Sequence, residues 1–214
     1  RDKGCYYSDT GYLLIGLVIE IVAGKSLYKE IAERFLEPLQ LKQTSPSNQR
    51  NIFGLVPGYV DSSNPFGLPG KTILKSGILA WNPAIEWAGG GFVSNSKDLV
   101  IWGKKVFEGN AMDGDYLRQL LRSVPISREA PGVEYGIAVG IHHNGPFGTS
   151  YGHGGWIPGY VSSLRYYPRY GIAVAFQINT DVGISDDSTP LVEELEERLS
   201  RVIINAKSTQ VLNK

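Results

Sequence analysis

The stretch Gly159–Asn179, GYVSSLRYYPRYGIAVAFQIN, decides how the second half of the chain folds. Its two arms, Gly159–Tyr167 and Gly171–Asn179, are rich in the β-branched and aromatic residues that strands favour. Between them lies Pro168-Arg169-Tyr170, which is short enough to reverse the chain as a hairpin connection. The stretch therefore predicts two neighbouring antiparallel strands.

The segments on either side extend this predicted sheet. Tyr135–His142 alternates in the same manner and predicts a further strand. From about Thr189 to Ile204 apolar residues recur at every fourth position, which predicts an amphipathic helix that packs on the sheet. We expect the tail after Ala206 to be frayed.

The first half of the chain has helical patterns instead. Asp9 or Thr10 is a suitable N-cap for a helix that runs to about Val22 and stops at Gly24. This helix is apolar nearly all round, so we expect it to be buried on most sides. Three more helices are predicted: Leu27–Glu37 after a Ser26 cap, Lys97–Phe107 after a cap at Ser94 or Ser96, and Asp115–Arg122. Residues 43–70 are rich in Ser, Asn, Gly and Pro and predict a long surface connection.

Composition excludes several classes of function. The 214 residues carry 21 basic and 21 acidic side chains, so charge gives no reason to expect binding to nucleic acid. Cys5 is the only cysteine, which rules out an internal disulfide. No apolar run reaches the roughly 18 residues that a membrane span requires. We therefore expect a globular protein without a transmembrane segment in this chain.

Tyr7-Ser8-Asp9 and Gly152–Tyr160 are the two candidate functional motifs. The first precedes the long apolar helix, where Asp is also a common N-cap and an aromatic a common staple. The second, GHGGWIPGY, surrounds His153 with glycines that let a backbone approach a ligand closely, although a plain glycine-rich turn has the same composition. Each motif alone leaves the structural and the functional interpretation open.

The two motifs in this order, with the sequence around them, resemble a known family. Between them lies Ala88–Ser94, AGGGFVS, and after them come Arg165–Pro168 and Asn179–Asp181. The series resembles the β-lactamase-related serine hydrolases, which include class C β-lactamases, D-alanyl-D-alanine carboxypeptidases, D-aminopeptidases and family VIII esterases. The resemblance covers most of residues 4–182 and is weakest over 43–80.

The resemblance implies roles for Tyr7 and Asp9. Tyr7 matches the tyrosine that takes or relays the proton of the family's nucleophile. A free phenol has a pKa of about 10, so it needs a neighbouring cation to act as a base at neutral pH. In the family that cation is the lysine of a Ser-x-x-Lys motif, which precedes the tyrosine. Asp9 matches an asparagine that donates a hydrogen bond to substrate, and an ionised Asp can only accept.

The second motif supplies the remaining candidate residues. His153-Gly154-Gly155 matches the position of Lys-Thr-Gly in penicillin-binding enzymes. Because His titrates near neutrality and hydrogen-bonds directionally, the change suits esters or small amides rather than substrates with an obligatory carboxylate. Gly154 and Gly155 would line the oxyanion site, and the Trp156 N–H would donate to it. The Trp156 side chain either forms a hydrophobic wall of the site or is an ordinary buried tryptophan, and the second interpretation is the preferred one.

Three other patterns are better explained structurally. Ser94-Asn95-Ser96-Lys97 matches Ser-x-x-Lys literally, but it lies downstream of the tyrosine and resembles a helix N-cap followed by an exposed Lys. Lys71-Thr72 is followed by Ile rather than Gly. His142 and His143 are adjacent on a predicted strand and point to opposite faces, so we expect no metal site and no cofactor.

These inferences combine into one prediction. The fold is α+β and β-lactamase/transpeptidase-like, with a helix-rich lobe over 1–130 and antiparallel strands with a packing helix over 131–214. The first strands and the nucleophile of such a fold would come from an N-terminal segment or from another chain, and the 214 residues alone would be inactive. The function is hydrolysis of a β-lactam, D-alanyl peptide or small ester through an acyl-enzyme. The alternative is a non-catalytic binding or scaffold protein. The family alone suggests a periplasmic or extracellular location.

Overall fold

The protein has an α+β architecture in which helices cover a six-stranded sheet. The computed structural model describes residues 5–126 and 131–212, with side chains described as far as residue 207. The predicted lobe boundary after residue 130 falls at the edge of an undescribed stretch. In chain order, the helices are α1 Asp9–Ala23, α2 Leu27–Ile31 with a π-helical continuation Ala32–Leu36, α3 Trp87–Gly90, α4 Ser96–Phe107, α5 Tyr116–Leu120 and α6 Pro190–Leu212. The strands are β1 Ser45–Pro46, β2 Phe92–Val93, β3 Val124–Pro125, β4 Val133–Tyr135, β5 Gly140–Gly145, β6 Gly148–Ile157, β7 Tyr160–Tyr167 and β8 Ile172–Ile178.

The main sheet is an antiparallel meander in the order β3-β4-β5-β6-β7-β8. The predicted hairpin is confirmed, since β7 and β8 pair from Val161 with Ile178 to Tyr167 with Ile172. A two-residue turn, Pro158-Gly159, joins β6 to β7, and Gly159 takes a φ of 81° that favours glycine there.

Each face of this sheet is covered by one long helix. On one face α4 packs so closely that a Cβ at Gly103 would lie 2.8 Å from Leu164. On the other face α6 completes a buried cluster of Val161, Ile184 and Val192. The two faces alternate along β7, as the period of a strand requires. The predicted packing helix is therefore confirmed, although it continues through Leu212 where fraying was expected.

One expectation about the strands was wrong, and for one motif the structure decides between a strand edge and a glycine-rich turn. Tyr135–His142 is not one strand, because the chain turns between β4 and β5, and Ala138 within that turn has a φ of 54°. The glycine-rich motif Gly152–Tyr160 is mostly strand, since β6 extends to Ile157 as the longest strand in the sheet described. Cross-strand pairing on both sides keeps Gly152 extended despite its intrinsic flexibility.

Helix α1 has the predicted span but not the predicted environment. Its N-cap is Ser8, whose Oγ accepts from the Gly11 N–H, rather than Asp9 or Thr10. It stops as predicted at Gly24, which has a φ of 65°. It is not buried on most sides, because only Gly16 is buried along its length. The exposed apolar side chains of α1 are Leu14, Ile15, Leu17, Val18, Ile21 and Val22.

Within the described part of the chain, no single helix is long and apolar enough to cross a membrane. The pair formed by Asp9–Ala23 and Leu27–Leu36, bent by 77° at their junction, meets the test of length and composition only when the two are taken together.

The remaining helices differ from prediction mainly at their ends. Ser26 caps α2 as predicted, its Oγ accepting from the Lys29 N–H. The cap of α4 is Asn95 rather than Ser94 or Ser96, because the Asn95 carboxamide accepts from the Asp98 N–H.

The long connection is irregular as expected, but it is anchored to the β6–β7 turn. The Tyr160 hydroxyl donates to the Val56 carbonyl at 2.7 Å and accepts from the Gly58 N–H at 3.1 Å. It also lies 2.8 Å from the Thr72 hydroxyl. Gly58 and Gly159 lie so close that a Cβ on Gly58 would collide with the Gly159 carbonyl. The connection is therefore fastened where β6 ends.

Candidate active site

A cavity of about 420 Å³ lies between α1, α3 and the main sheet. Its wall is mostly apolar, and its polar side chains are two motif residues and two further tyrosines. The lining residues are Tyr7, Tyr12, Ile15, Gly16, Ile19, Leu27, Ile31, Trp87, Ala88, Gly89, Gly90, Phe92, Tyr135, Ala138, His153 and Gly154. The cavity therefore brings together residues from the tyrosine motif, the AGGGFVS stretch and the histidine motif. A concave apolar site with a few convergent polar groups is typical of a small-molecule binding site.

Three rings meet on one side of this cavity. The Tyr7 ring centroid lies 6.1 Å from that of His153 and 6.1 Å from that of Tyr135. Tyr135 is joined to His153 more directly, since its hydroxyl lies 2.7 Å from His153 Nε2. The other ring nitrogen, Nδ1, lies 2.5 Å from the Gly154 carbonyl oxygen. The structure thus brings Tyr7 and His153 together and adds Tyr135 as a third member.

The histidine motif lies at a place where the sheet has an unpaired edge. β5 pairs with β6 only as far as Gly152, opposite Gly140. β7 continues to pair with β6 up to Ile157, opposite Tyr160. Among the described strands, residues 153–157 therefore have a neighbour on one side only. Their other side offers backbone hydrogen-bonding groups next to the cavity.

The electrostatic surroundings of Tyr7 are acidic. Burial is the largest of the effects that together raise the pKa of Tyr7 to about 12, and the others include the Asp9 carboxylate, which also hydrogen-bonds the phenol, and the negative charge of Asp187. No Lys or Arg is found among the described residues that line the cavity. Tyr7 is therefore protonated at neutral pH in this state, and its phenol is a donor rather than a base.

Backbone strain is concentrated around the same cavity. Trp87 has a φ of 32° and Ala138 a φ of 54°, both in the region that favours glycine. Both line the cavity. Such strain costs about 1–3 kcal/mol per residue and is found most often at functional sites. It is therefore an observation independent of the motifs that indicates a functional site here.

Other predicted site residues lie at the margins. Asp9 borders the AGGGFVS stretch, since a Cβ at Gly89 would lie 3.6 Å from the Asp9 Cβ. Trp156 directs its indole away from the cavity and donates to the Ile184 carbonyl at 3.1 Å, in the cluster under α6. Its side chain is thus a packing residue, and only its backbone remains a candidate for the site.

Sequence reasoning missed two residues at this site. Tyr135 belongs to no motif, and its only signal was an aromatic residue immediately before a glycine in a predicted strand. Asp187 lies in the loop before α6, where its carboxylate packs on Gly154 and would collide with a Cβ there. No sequence pattern connected Asp187 with the histidine motif, because the contact joins residues from different segments.

The three discounted patterns have structural roles. The Ser94 hydroxyl lies 2.7 Å from the Thr44 hydroxyl, outside the residues that line the cavity. Thr72 is fully buried beside Tyr160. His143 lies 3.3 Å from the Glu134 carboxylate.

Burial, with a smaller contribution from the nearby Arg165, lowers the pKa of His142 to about 4. His142 is therefore neutral at pH 7. Ser94, Thr72, His142 and His143 are not among the residues that line the cavity.

Solved structures with a similar fold define the class of protein. A D-stereospecific amidohydrolase from Streptomyces sp. is 29% identical with a TM-score of 0.72, and the match covers 83% of this chain and 51% of that chain. The D-amino acid amidase from Ochrobactrum anthropi SV3, in complex with D-phenylalanine, is 24% identical with a TM-score of 0.79, covering 95% and 59%. The octameric penicillin-binding protein homologue from Pyrococcus abyssi is 25% identical with a TM-score of 0.63, covering 83% and 39%. The architecture is the β-lactamase/transpeptidase-like fold, as predicted.

The sequence model of the Beta-lactamase family matches residues 2–196, and the chain belongs to this family. This membership places it among the β-lactamase-related serine hydrolases and confirms the resemblance. No curated protein sequence matches the chain. The chain spans about half to three fifths of the length of the two amide hydrolases it resembles.

Proposed function

We propose that the chain forms part of a serine hydrolase that cleaves an amide or ester through an acyl-enzyme. Tyr7 relays the proton of the nucleophile, His153 orients the site, and the backbone of Gly154–Trp156 stabilises the oxyanion. The observation that carries this proposal is the meeting of Tyr7 and His153 at an unpaired strand edge beside the cavity.

The register of β6 supports the assignment of the Trp156 N–H. Ile157 and Tyr160 close a two-residue turn, and such a closing pair exchanges hydrogen bonds. Pairs alternate along an antiparallel ladder, so Gly154 and Trp156 direct their backbone groups away from β7. That direction is the unpaired edge. The contact of the Gly154 carbonyl with His153 Nδ1 agrees with this direction.

An additional polypeptide segment is part of the proposal. A tyrosine with a pKa of about 12 needs a cation before it can act as a base, and none lies among the described residues lining the cavity. The apolar side chains of α1 are exposed beside the same cavity, as a surface that another element covers would be. We propose that this segment, in the same chain or in another, brings the nucleophile and a cation to Tyr7.

The substrate is proposed from the similar structures and from the chemistry of the site. One similar protein was solved in complexes with D-phenylalanine and with L-phenylalanine amide. His153 in place of a fixed cation suits a substrate without an obligatory carboxylate. We therefore place amino acid amides and small esters ahead of β-lactams. Parallel assays with D-phenylalanine amide, a D-alanyl dipeptide, a short-chain nitrophenyl ester and a chromogenic cephalosporin rank the four classes.

A fluorophosphonate probe tests the mechanism. We expect the full product of the gene to be labelled on a serine, and Tyr7→Phe or His153→Ala to reduce labelling by at least about 100-fold, because each removes a group that acts in acylation. Ser94→Ala is the matched control and keeps full labelling. The 214-residue chain alone stays unlabelled. Labelling of that chain at Ser94 contradicts the assignment. No labelling of either form, alone or together with a chain that completes the site, contradicts hydrolase activity.

One observation favours a second function, that of a non-catalytic binding protein. Asp9 and Asp187 both raise the pKa of Tyr7, which is the opposite of what a base requires. In that case the four substrates would bind without turnover. Calorimetric binding of D-phenylalanine amide together with an absence of hydrolysis by the full gene product would support this alternative.

A further inference from the structure

The geometry around His153 points to a role for Tyr135. We propose that Tyr135 is a positioning residue that holds His153 in a single tautomer, with its proton on Nδ1, and thereby orients the unpaired edge of β6. The tautomer itself is independent of the proposed function. Only its consequence for catalysis rests on that function.

The tautomer follows from the partners of the two ring nitrogens. A backbone carbonyl can only accept a hydrogen bond, so His153 Nδ1, 2.5 Å from the Gly154 oxygen, carries the proton and donates it. In a neutral imidazole the other nitrogen, Nε2, is then an acceptor. The Tyr135 hydroxyl, 2.7 Å away, fills that position as a donor. The two contacts together select one of the two neutral forms.

Tyr135 is suited to remain the donor. Burial raises the pKa of its phenol far above the usual value, with smaller contributions from Tyr12 and Tyr7. The phenol therefore keeps its proton throughout the neutral range. Its ring also packs edge-on against His153, with centroids 5.7 Å apart, which limits rotation of the imidazole.

This arrangement gives His153 a specific task. Its Nε2 is occupied by Tyr135, so it is not free to take a proton from a nucleophile. Its Nδ1–H instead binds the Gly154 carbonyl at the edge where the Trp156 N–H also points. By holding that peptide, His153 keeps the edge in the geometry in which the neighbouring N–H can meet an oxyanion. Tyr135 acts through His153 and does not contact the reacting atoms.

Nuclear magnetic resonance of the ring nitrogens tests the tautomer without any activity assay. The chain has three histidines, so ¹⁵N labelling of their rings gives a spectrum that His142 and His143 variants assign. At neutral pH we expect His153 in the wild type to show a protonated Nδ1 and an unprotonated Nε2. Tyr135→Phe should shift part of the population to the Nε2–H form, because its acceptor position has lost the donor.

The control is Tyr167→Phe, which removes the contact of another phenol, the buried one that lies 2.8 Å from the Ser200 hydroxyl, without touching His153. It should leave the His153 signals unchanged. The proposal is overturned if wild-type His153 is mainly the Nε2–H form, or if Tyr135→Phe keeps the wild-type pattern. Should Tyr135→Phe fail to fold, the wild-type spectrum still tests the tautomer that the proposal requires, and a mainly Nε2–H form overturns it.

Kinetics test the positioning role in whichever form of the protein hydrolyses substrate. Tyr135→Phe should lower kcat by about 10- to 100-fold, the effect of misplacing a catalytic group by a fraction of an ångström to about 1 Å, and leave KM within about twofold. His153→Asn keeps a donor near the Nδ1 position that needs no tyrosine. In that background Tyr135→Phe should change kcat by less than about twofold, and equal losses in both backgrounds would overturn the role. If no form hydrolyses substrate, the proposed function fails while the tautomer is still tested by resonance.

Discussion

Helices α1 and α6 differ in how far their apolar side chains are buried. On α6, Val192 is fully buried and Ile204 is 3% exposed, because both meet the sheet. On α1, Leu14 is 60% exposed and Ile21 is 81% exposed. Helix α6 is amphipathic and packs its apolar stripe on the sheet, whereas α1 is apolar nearly all round and lacks a complete partner among the described residues. The difference teaches that the sheet with α6 forms a finished core, whereas α1 presents the surface on which we propose that a further segment packs.

A pair of matched isoleucine truncations should separate the two helices most strongly. Ile204→Ala on α6 should lower the free energy of unfolding by about 2–5 kcal/mol, because it leaves a cavity in a closed core. Ile21→Ala on α1 should change it by less than about 0.5 kcal/mol, since the side chain is already in solvent. Urea titration of the two variants measures both. Equal losses would mean that α1 is as well packed as α6.

Two glycines within α1 test how that helix is held. A Cβ at Gly16 would lie 2.7 Å from the Ala88 Cβ, so Gly16→Ala should destabilise the protein by about 1–3 kcal/mol through overpacking against α3. Gly11→Ala has open space and should stabilise the protein by up to about 1 kcal/mol, because alanine favours a helix. Thermal unfolding compares them. A neutral Gly16→Ala would show that the contact between α1 and α3 is loose.

The dependence of protein stability on acid pH should show the effect of burying His142 in the sheet. His142 packs in the sheet with its pKa lowered to about 4, so its contribution to stability is present above about pH 6.5, the unfolded value. It is lost as pH falls towards 4, because the unfolded chain takes up the proton first. His142→Gln should flatten this part of the pH–stability curve. His143→Gln, at an exposed position beside Glu134, is the control, and an equal flattening by both would exclude burial as the cause.

The smallest effect is expected for the pKa of Tyr7, which lines the cavity beside α1. Asp9→Asn removes a charge that raises the pKa of Tyr7, so that pKa should fall from about 12 towards 10. ¹³C chemical shifts of the Tyr7 ring, followed from pH 8 to 12, measure it. Asp115→Asn, at the N-cap of α5, removes a charge that does not contribute to this pKa and should leave it unchanged. A Tyr7 pKa that does not fall in Asp9→Asn would show that burial alone sets it.

Sequence periodicity located the elements whose neighbours are local. β7, β8 and α1 have nearly the predicted bounds, because alternation, turn residues and the Gly24 stop act within a few residues. Strand β6 was harder to predict from the sequence. Its glycines, such as Gly152, carry no strand preference, and they are held extended by the strands on either side. The environment of α1 was not predictable, since an apolar pattern shows what a helix can bury and not what is there to cover it.

The residues of the candidate site were likewise predictable from the sequence only in part. Tyr7 and His153 could be singled out because they belong to motifs, and both line the cavity. Tyr135 could not, because its significance comes from an 18-residue separation that the sheet closes to a 2.7 Å contact. The roles assigned to these residues remain predictions that the probe and resonance experiments test.

The contact between Gly58 and Gly159 limits how relatives of this protein can diverge. A Cβ at Gly58 would collide with the Gly159 carbonyl, and a Cβ at Gly159 would collide with the Thr72 side chain, so neither position can acquire a side chain unless its neighbour moves. The long connection is thereby divided into parts with different tolerance for change. Insertions and deletions should accumulate around residues 61–70 and around Phe53, which is fully exposed, while the residues that bind Tyr160 stay constant in length and spacing. An alignment of relatives should therefore show a variable loop interrupted by one short invariant segment.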